Sequence, residues 1–185
     1  MRTTLLSMFF IGFLLSGCTE FQVTTKKKAA ETPATVFYLI RHAEKDRSDA
    51  GNRDPELTPE GLQRATYWKE VFREIPLAAV YSTNYNRTYQ TALPTAQAKD
   101  LEVLRYEPDT TDLKHWAAQY PGKHILIVGH SNTTPALANQ LMGEGTYTDI
   151  DDSNNGNLYI VQYGSVKNSS VLYLEPSYTP RMETP

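Results

Sequence analysis

Two histidines each stand just beyond a short apolar run. Val36-Phe37-Tyr38-Leu39-Ile40 leads into Arg41-His42-Ala43-Glu44, and Ile125-Leu126-Ile127-Val128 leads into Gly129-His130-Ser131-Asn132. An imidazole can serve near neutral pH as nucleophile, base or anion ligand. Short β-branched runs with polar flanks read as strands buried on both faces of a parallel sheet. Ligands of open α/β sheets sit beyond the carboxyl ends of such strands, so both histidines are expected in one crevice with Arg41 beside the first.

A second arginine, Arg87, follows another apolar run, Leu77-Ala78-Ala79-Val80-Tyr81, and lies in Ser82-Thr83-Asn84-Tyr85-Asn86-Arg87-Thr88 near the start of a helical pattern. If the strand at 77–81 lies beside the first, Arg87 reaches the same crevice. Guanidinium groups match phosphate oxygens bidentately, and the helix expected after His130 offers a positive end to an anion. Two guanidiniums and two imidazoles in one pocket of a chain with net charge −3 point to phosphoryl chemistry. The charge gives no sign of a nucleic-acid surface.

The elements that must position these groups alternate strand with helix. Thr58-Pro59-Glu60 opens a helix: Thr58 suits the cap, Pro59 the first helical position and Glu60 the positive end of the dipole. Its apolar spacing through Leu62, Ala65, Trp68 and Phe72 carries it to about Ile75. Helices follow over 85–98, 111–119 and 134–142, with strands at 101–104 and 125–128 and a closing strand pair at 157–162 and 171–174. This order predicts an α/β fold with a mostly parallel, helix-covered sheet. Trp68 and Trp116 read as packing residues, and His115 and His124 as structural or surface groups. Asp151-Asp152-Ser153-Asn154-Asn155-Gly156 has the spacing of a calcium loop, but Gln162 stands at the twelfth position and no helix pair flanks it. It reads as a polar loop at the pocket rim; the loops over Lys45–Glu56 and Gly143–Gly156 are expected to rim the pocket and to carry its specificity.

Arg41-His42-Ala43-Glu44, Leu57-Thr58-Pro59-Glu60-Gly61, Ser82 with Arg87-Thr88 and Thr91-Ala92, and Val128-Gly129-His130-Ser131 resemble, in this order, the motifs of the histidine phosphatase superfamily, also called phosphoglycerate-mutase-like. The resemblance implies a three-layer α/β/α sandwich. It implies a nucleophile at His42, phosphate clamps at Arg41 and Arg87, and His130 as the second core histidine that also binds phosphate. It implies no cofactor and no metal. The family usually has glycine where this chain has Ala43, whose carbonyl remains free to hold the second ring nitrogen of His42.

In such a site a neutral imidazole attacks phosphorus in line with the leaving oxygen, and water hydrolyses the phosphohistidine. Cations hold the charge on the equatorial oxygens. The family's proton donor is a glutamate in the loop after the third strand, where this chain offers Glu107, Asp109 and Asp112. Glu107 is closest to the strand end and is the first choice; Glu44 is a further option.

Ahead of this domain, Met1-Arg2 and an apolar stretch from Leu5 to Leu15 describe a secretory signal, and its closing Leu15-Ser16-Gly17-Cys18 closely resembles a bacterial lipobox. The expectation is a lipoprotein signal over 1–17, a lipidated tether over 18–35 starting at Cys18, a histidine phosphatase domain over 36–176 and a tail over 177–185. A single cysteine excludes an intramolecular disulfide. The protein would be held by lipid in the bacterial cell envelope, facing the periplasm or exterior, and Thr19 points to the outer membrane where the host has one. Its expected partners are a phosphorylated small molecule or phosphoprotein and the membrane. Two functions stay open: a lipid-anchored phosphomonoesterase, or a catalytically weak phosphate-binding module on the same fold.

Overall fold

A computed structural model describes residues 33–176. The signal segment 1–17, Cys18 with most of the tether, and the tail 177–185 lie outside the described residues. Among the described residues no helix is long and apolar enough to cross a membrane.

The chain runs β1 (Thr35–Arg41), α1 (Pro59–Val71), β2 (Leu77–Ser82), α2 (Asn86–Ala98), β3 (Val103–Arg105), α3 (Leu113–Gln119), β4 (His124–Gly129), α4 (Thr133–Met142), β5 (Asn157–Tyr163) and β6 (Asn168–Tyr173). The six strands form one sheet in the order β3-β2-β4-β1-β5-β6. The first four lie parallel, and β5 and β6 close the sheet antiparallel. Alternate residues of the buried strands face opposite ways, and the core divides accordingly. Phe37, Leu39, Ile125 and Ile127 pack with Leu113 of α3 and Leu137 and Leu141 of α4. Tyr38, Ile40, Leu126 and Val128 pack with Trp68 of α1 and Ala92 and Ala96 of α2. Helices therefore cover both faces, giving the three layers. Fully burying a large apolar side chain is worth about 1.5–3 kcal/mol, and Trp68, Phe72 and Phe37 are all fully buried.

The boundaries differ from the sequence reading in a few places. Thr35, assigned there to the tether, opens β1; it is buried and its hydroxyl reaches the carbonyls of Ala117 (3.0 Å) and Tyr120 (2.7 Å). Helix α1 stops at Val71 rather than near Ile75. The chain tightens into i+3 bonds from Arg73 N to Glu70 O and Ile75 N to Phe72 O, because Pro76 bars its predecessor from helical geometry. Strand β3 starts two residues late, since the Leu101 N–H still donates to Ala96 O at the end of α2 and Asp100 takes a positive φ of 55°.

The start of α1 is fixed against the residues that follow β1. Thr58 Oγ1 accepts from Gly61 N (3.1 Å) as the cap, and Thr58 N donates to Glu44 O (2.9 Å). A Cβ on Gly61 would lie 2.2 Å from Glu44 O, so only glycine lets the helix approach the backbone just beyond His42.

Candidate active site

Register alone brings the two histidines together. Arg41 pairs with Gly129 across β1 and β4, so the next residue of each parallel strand, His42 and His130, emerges at the same sheet edge. The His42 N–H donates to Gly129 O at 2.9 Å. Their ring centroids lie 5.5 Å apart in an edge-on arrangement. Gly129 is required by crowding, because a Cβ there would come within 2.9–3.0 Å of the hydroxyls of Thr133, Tyr106 and Thr134. Strand β2 ends beside β4, with Ser82 opposite Val128, and delivers Thr83 and then Arg87 at the first turn of α2.

His42 is buried, and its Nδ1 lies 2.7 Å from Ala43 O. A carbonyl only accepts, so Nδ1 carries the proton and Nε2 keeps its lone pair. Alanine thus performs the carbonyl function where the family has glycine. Ala43 is itself pinned, its N–H donating to Thr91 Oγ1 at 2.9 Å. Asn155 Nδ2 donates to His42 O at 2.8 Å, which fixes the backbone of His42.

Arg41 is 2 % exposed and clamped by the loop over 151–154. Its Nη1 donates to the carbonyls of Asp151 (2.9 Å), Asp152 (3.1 Å) and Asn154 (3.1 Å), and its Nη2 pairs with Asp152 Oδ1 at 2.6 Å. Arg47 takes the other carboxylate oxygen of Asp152 at 2.8 Å. The Arg47 and Arg41 hydrogen bonds hold Asp152 well below the usual carboxylate range, at about 2. The Nε–H of Arg41 is buried with no partner among the described residues. Unmet buried donors are costly and rare, and this one is suited to an anion's oxygen.

Arg87 is held more loosely. Its Nη1 lies 3.5 Å from Arg53 O and 3.7 Å from Asp54 Oδ1, and its Nη2 lies 3.5 Å from His130 Nδ1. The Tyr85 ring lies under the guanidinium at 4.2 Å, a cation–π contact, and meets His130 edge-on at 5.2 Å. Its Nε is also buried without a partner among the described residues. Lys45 stands half-buried nearby, with no hydrogen bond or ion pair among the described residues; burial first, then Arg87 and Arg47, pull its pKa down.

Burial dominates the state of both imidazoles. It lowers His42 to about 3, with His130, Arg41 and Arg87 adding repulsion against the Ala43 hydrogen bond that favours the charged form. It lowers His130 to about 4, with Arg87, Lys45 and Arg41 adding to it. The charged groups acting on the pair are all cationic, so both imidazoles are neutral at pH 7. The site thus sets the cations Arg41, Arg87 and Lys45 around two neutral rings, an arrangement chemically suited to an anion, with the Nε2 lone pair of His42 free of a protein donor among the described residues.

The sequence-predicted residues Arg41, His42, Arg87 and His130 converge here. Glu107 lies on an exposed turn, where its carbonyl accepts from Thr111 Oγ1 at 2.7 Å. Its carboxylate makes no hydrogen bond or ion pair among the described residues. Asp112 caps α3 by accepting from Lys114 N and His115 N, and Glu44 pairs with Arg64 at 2.7 Å. Both rim loops reach the site, through Asp54 and Asp152. No group of side chains that could hold a metal occurs among the described residues. Sequence reasoning missed Asp152, Asn155, Thr83, Tyr85 and Lys45. The Asx-rich run at 151–156 was visible, but its hold on Arg41 was not.

Residues 37–109 match the model of the histidine phosphatase superfamily, branch 1. Phosphoserine phosphatase 1 of Hydrogenobacter thermophilus is 37 % identical over 71 residues, covering 36 % of this chain and 34 % of that protein. The match thus spans about a third of that relative's length. A putative phosphohistidine phosphatase, SixA, from Agrobacterium tumefaciens superposes with a TM-score of 0.57 at 20 % identity, over 76 % of this chain and 98 % of its own. Phosphoglycerate mutase of Bacillus anthracis does so with a TM-score of 0.63 at 11 % identity, over 77 % of this chain and 94 % of its own. The two structures establish the likeness of fold.

The neutral histidines set a pH signature. The unfolded chain protonates each near 6.5, while the folded protein holds them at about 3 and about 4. Between those values and 6.5 the unfolded state binds more protons, so stability rises with pH through that window and is lost as pH falls. Urea unfolding at several pH values between about 4.5 and 7 should show a shallower slope for His130→Gln than for the wild type. Identical slopes would mean that His130 is not held neutral by the fold.

Proposed function

We propose, for a chain that belongs to the histidine phosphatase superfamily, that it hydrolyses phosphomonoesters without a metal, through a phosphohistidine on His42, while anchored by lipid outside the cytoplasm. The observation that carries the catalytic part is the Nδ1–H bond from His42 to Ala43 O at 2.7 Å. It fixes the tautomer and leaves Nε2 as a lone pair among Arg41, Arg87 and His130. The Nε2–P bond forms as the P–O bond of the ester breaks, and the leaving oxygen takes a proton. Water then adds to phosphorus, the N–P bond breaks and inorganic phosphate leaves. The arginines replace a cation in neutralising the equatorial oxygens, and the orphan Nε–H groups of Arg41 and Arg87 are the donors awaiting those oxygens. Phosphorylated small molecules and phosphoproteins both present this group. The phosphatase and mutase names among its relatives fit such a substrate.

His42→Ala should lose turnover by about a thousandfold or more, as removal of a covalent nucleophile does elsewhere. The wild type should accumulate an acid-labile, alkali-stable phosphoryl linkage. Activity should survive EDTA and be inhibited by orthovanadate. Full activity in His42→Ala, or loss in EDTA restored by a divalent ion, overturns the mechanism.

Glu107 is the proposed proton donor because its loop leaves the third strand at the same sheet edge. A second reading, a phosphate-binding module with weak turnover, is favoured by the free position of its carboxylate and by the ion pair of Arg41 with Asp152. One comparison separates them. Glu107→Gln should slow an alkyl phosphate by about 10²–10⁴-fold and a nitrophenyl phosphate far less, since only the alkoxide needs a proton in transit. Equal effects on both substrates exclude Glu107 as the acid. Negligible alkyl phosphate turnover by the wild type supports the binding module.

The anchor rests on Leu15-Ser16-Gly17-Cys18. Cys18→Ser should release the protein from the membrane fraction of a bacterial host. Recovery of wild-type protein in the cytoplasm with residues 1–17 intact would refute export.

A further inference from the structure

Behind His130 a run of hydroxyl contacts has a direction that follows from counting protons. Thr88 Oγ1 lies 3.0 Å from Thr83 O and 2.9 Å from Tyr85 O. Carbonyl oxygens only accept, so the single hydroxyl proton of Thr88 is committed to one of them. Thr88 Oγ1 therefore presents only lone pairs to Thr83 Oγ1, 3.0 Å away, and Thr83 donates its own proton there. Thr83 Oγ1 then meets His130 Nε2 at 2.9 Å with a lone pair, and the proton in that contact comes from the ring. Thr83 and Thr88 are both buried, so the reverse arrangement would press two desolvated oxygens together without a proton between them. Arg105 locks the same segment from the far side, its Nη1 donating to Thr83 O at 2.8 Å and to Ser82 Oγ at 3.0 Å.

We propose that Thr83, oriented by Thr88, is a positioning residue that fixes neutral His130 as its Nε2–H tautomer and so turns the Nδ1 lone pair toward Arg87. The two core histidines then carry opposite tautomers. His42 is protonated at Nδ1 and reactive at Nε2, whereas His130 is protonated at Nε2 and open at Nδ1. Arg87 Nη2, 3.5 Å from Nδ1, is a donor and agrees with a lone pair there. The other groups around the ring are the Tyr85 and His42 rings and the cations Lys45 and Arg41, and among the described residues Nδ1 meets only the Arg87 donor and no acceptor at hydrogen-bond distance. The catalytic consequence rests on the phosphatase reading. His130 meets an incoming phosphoryl oxygen as a proton acceptor, and Nδ1 becomes a donor to that oxygen only after it has gained a proton.

The tautomer is read directly by ¹⁵N NMR of histidine-labelled resting protein near neutral pH, with His130 assigned by its absence from His130→Gln. The wild type should show a protonated Nε2 and a bare Nδ1. Thr83→Val should mix the tautomers, and Thr83→Ser should restore the wild-type pattern. Thr88→Val should shift the proton toward Nδ1, because Thr83 then has no other acceptor and donates to the ring. In turnover, Thr83→Val should lower kcat by about 10–100-fold, the usual loss when an orienting partner is removed, with KM little changed and Thr83→Ser near wild type. A wild-type His130 protonated at Nδ1, or a Thr83→Val protein with an unaltered tautomer, overturns the proposal. The spectra decide it even if no ester is hydrolysed, and that failure would count against the phosphatase reading alone.

Discussion

The parallel pairing of β1 with β4 is the constraint on which the rest of the site depends. Parallel ladders fix the positions of both strand ends at once, and the register that sets Arg41 opposite Gly129 leaves His42 and His130 as the next residues out. A slip of one residue would send each strand's alternate side chains to the wrong helix layer. The two buried faces resist it, with Phe37, Leu39, Ile125 and Ile127 on one side and Tyr38, Ile40, Leu126 and Val128 on the other. Packing of the core and placement of the chemistry are therefore a single specification. The glycine before His130 serves the same end by admitting three hydroxyls to the strand terminus.

Concentrating cations around buried imidazoles has a thermodynamic cost that the fold meets locally. Arg41 is almost fully buried, a position tolerable only with satisfied donors and a counter-charge. The loop over 151–154 supplies three carbonyls and Asp152. The next residue, Asn155, holds the His42 carbonyl, so Arg41 and His42 are oriented by one segment. The imidazoles are kept neutral by burial and by like-signed neighbours. That gives up some stability in acid and keeps the Nε2 lone pair of His42 unprotonated. The Nε–H groups of Arg41 and Arg87, unmet among the described residues, are the remaining polar cost, one that an anion's oxygens would offset.

Much of this was legible in the sequence because it is carried by local pattern. Continuous aliphatic runs gave the inner strands, Thr58-Pro59-Glu60 gave the start of α1, and the order of strands and helices gave the layered fold. The positions of Arg41, His42, Arg87 and His130 just beyond strand ends gave the site's core. Pro76 explains the early end of α1, and the capping of α2 by Leu101 explains the late start of β3, places where propensity yields to the geometry of the next residues.

What the chain could not reveal is who touches whom across long separations. The clamp of Asp152 on Arg41 joins residues 111 apart, the Thr83–His130 contact spans 47, and the Asn155 hold on His42 spans 113. Such contacts leave no periodicity and no cap signature. They arise only when strand order, register and loop path are settled together. The sequence by itself determined which groups stand at the strand ends and therefore which chemistry is available. The tertiary structure decided the tautomer of His42 and the neutral state of both imidazoles, and it decided which acids are spent on capping and ion pairs. Those properties depend on burial and on neighbours brought together only by folding.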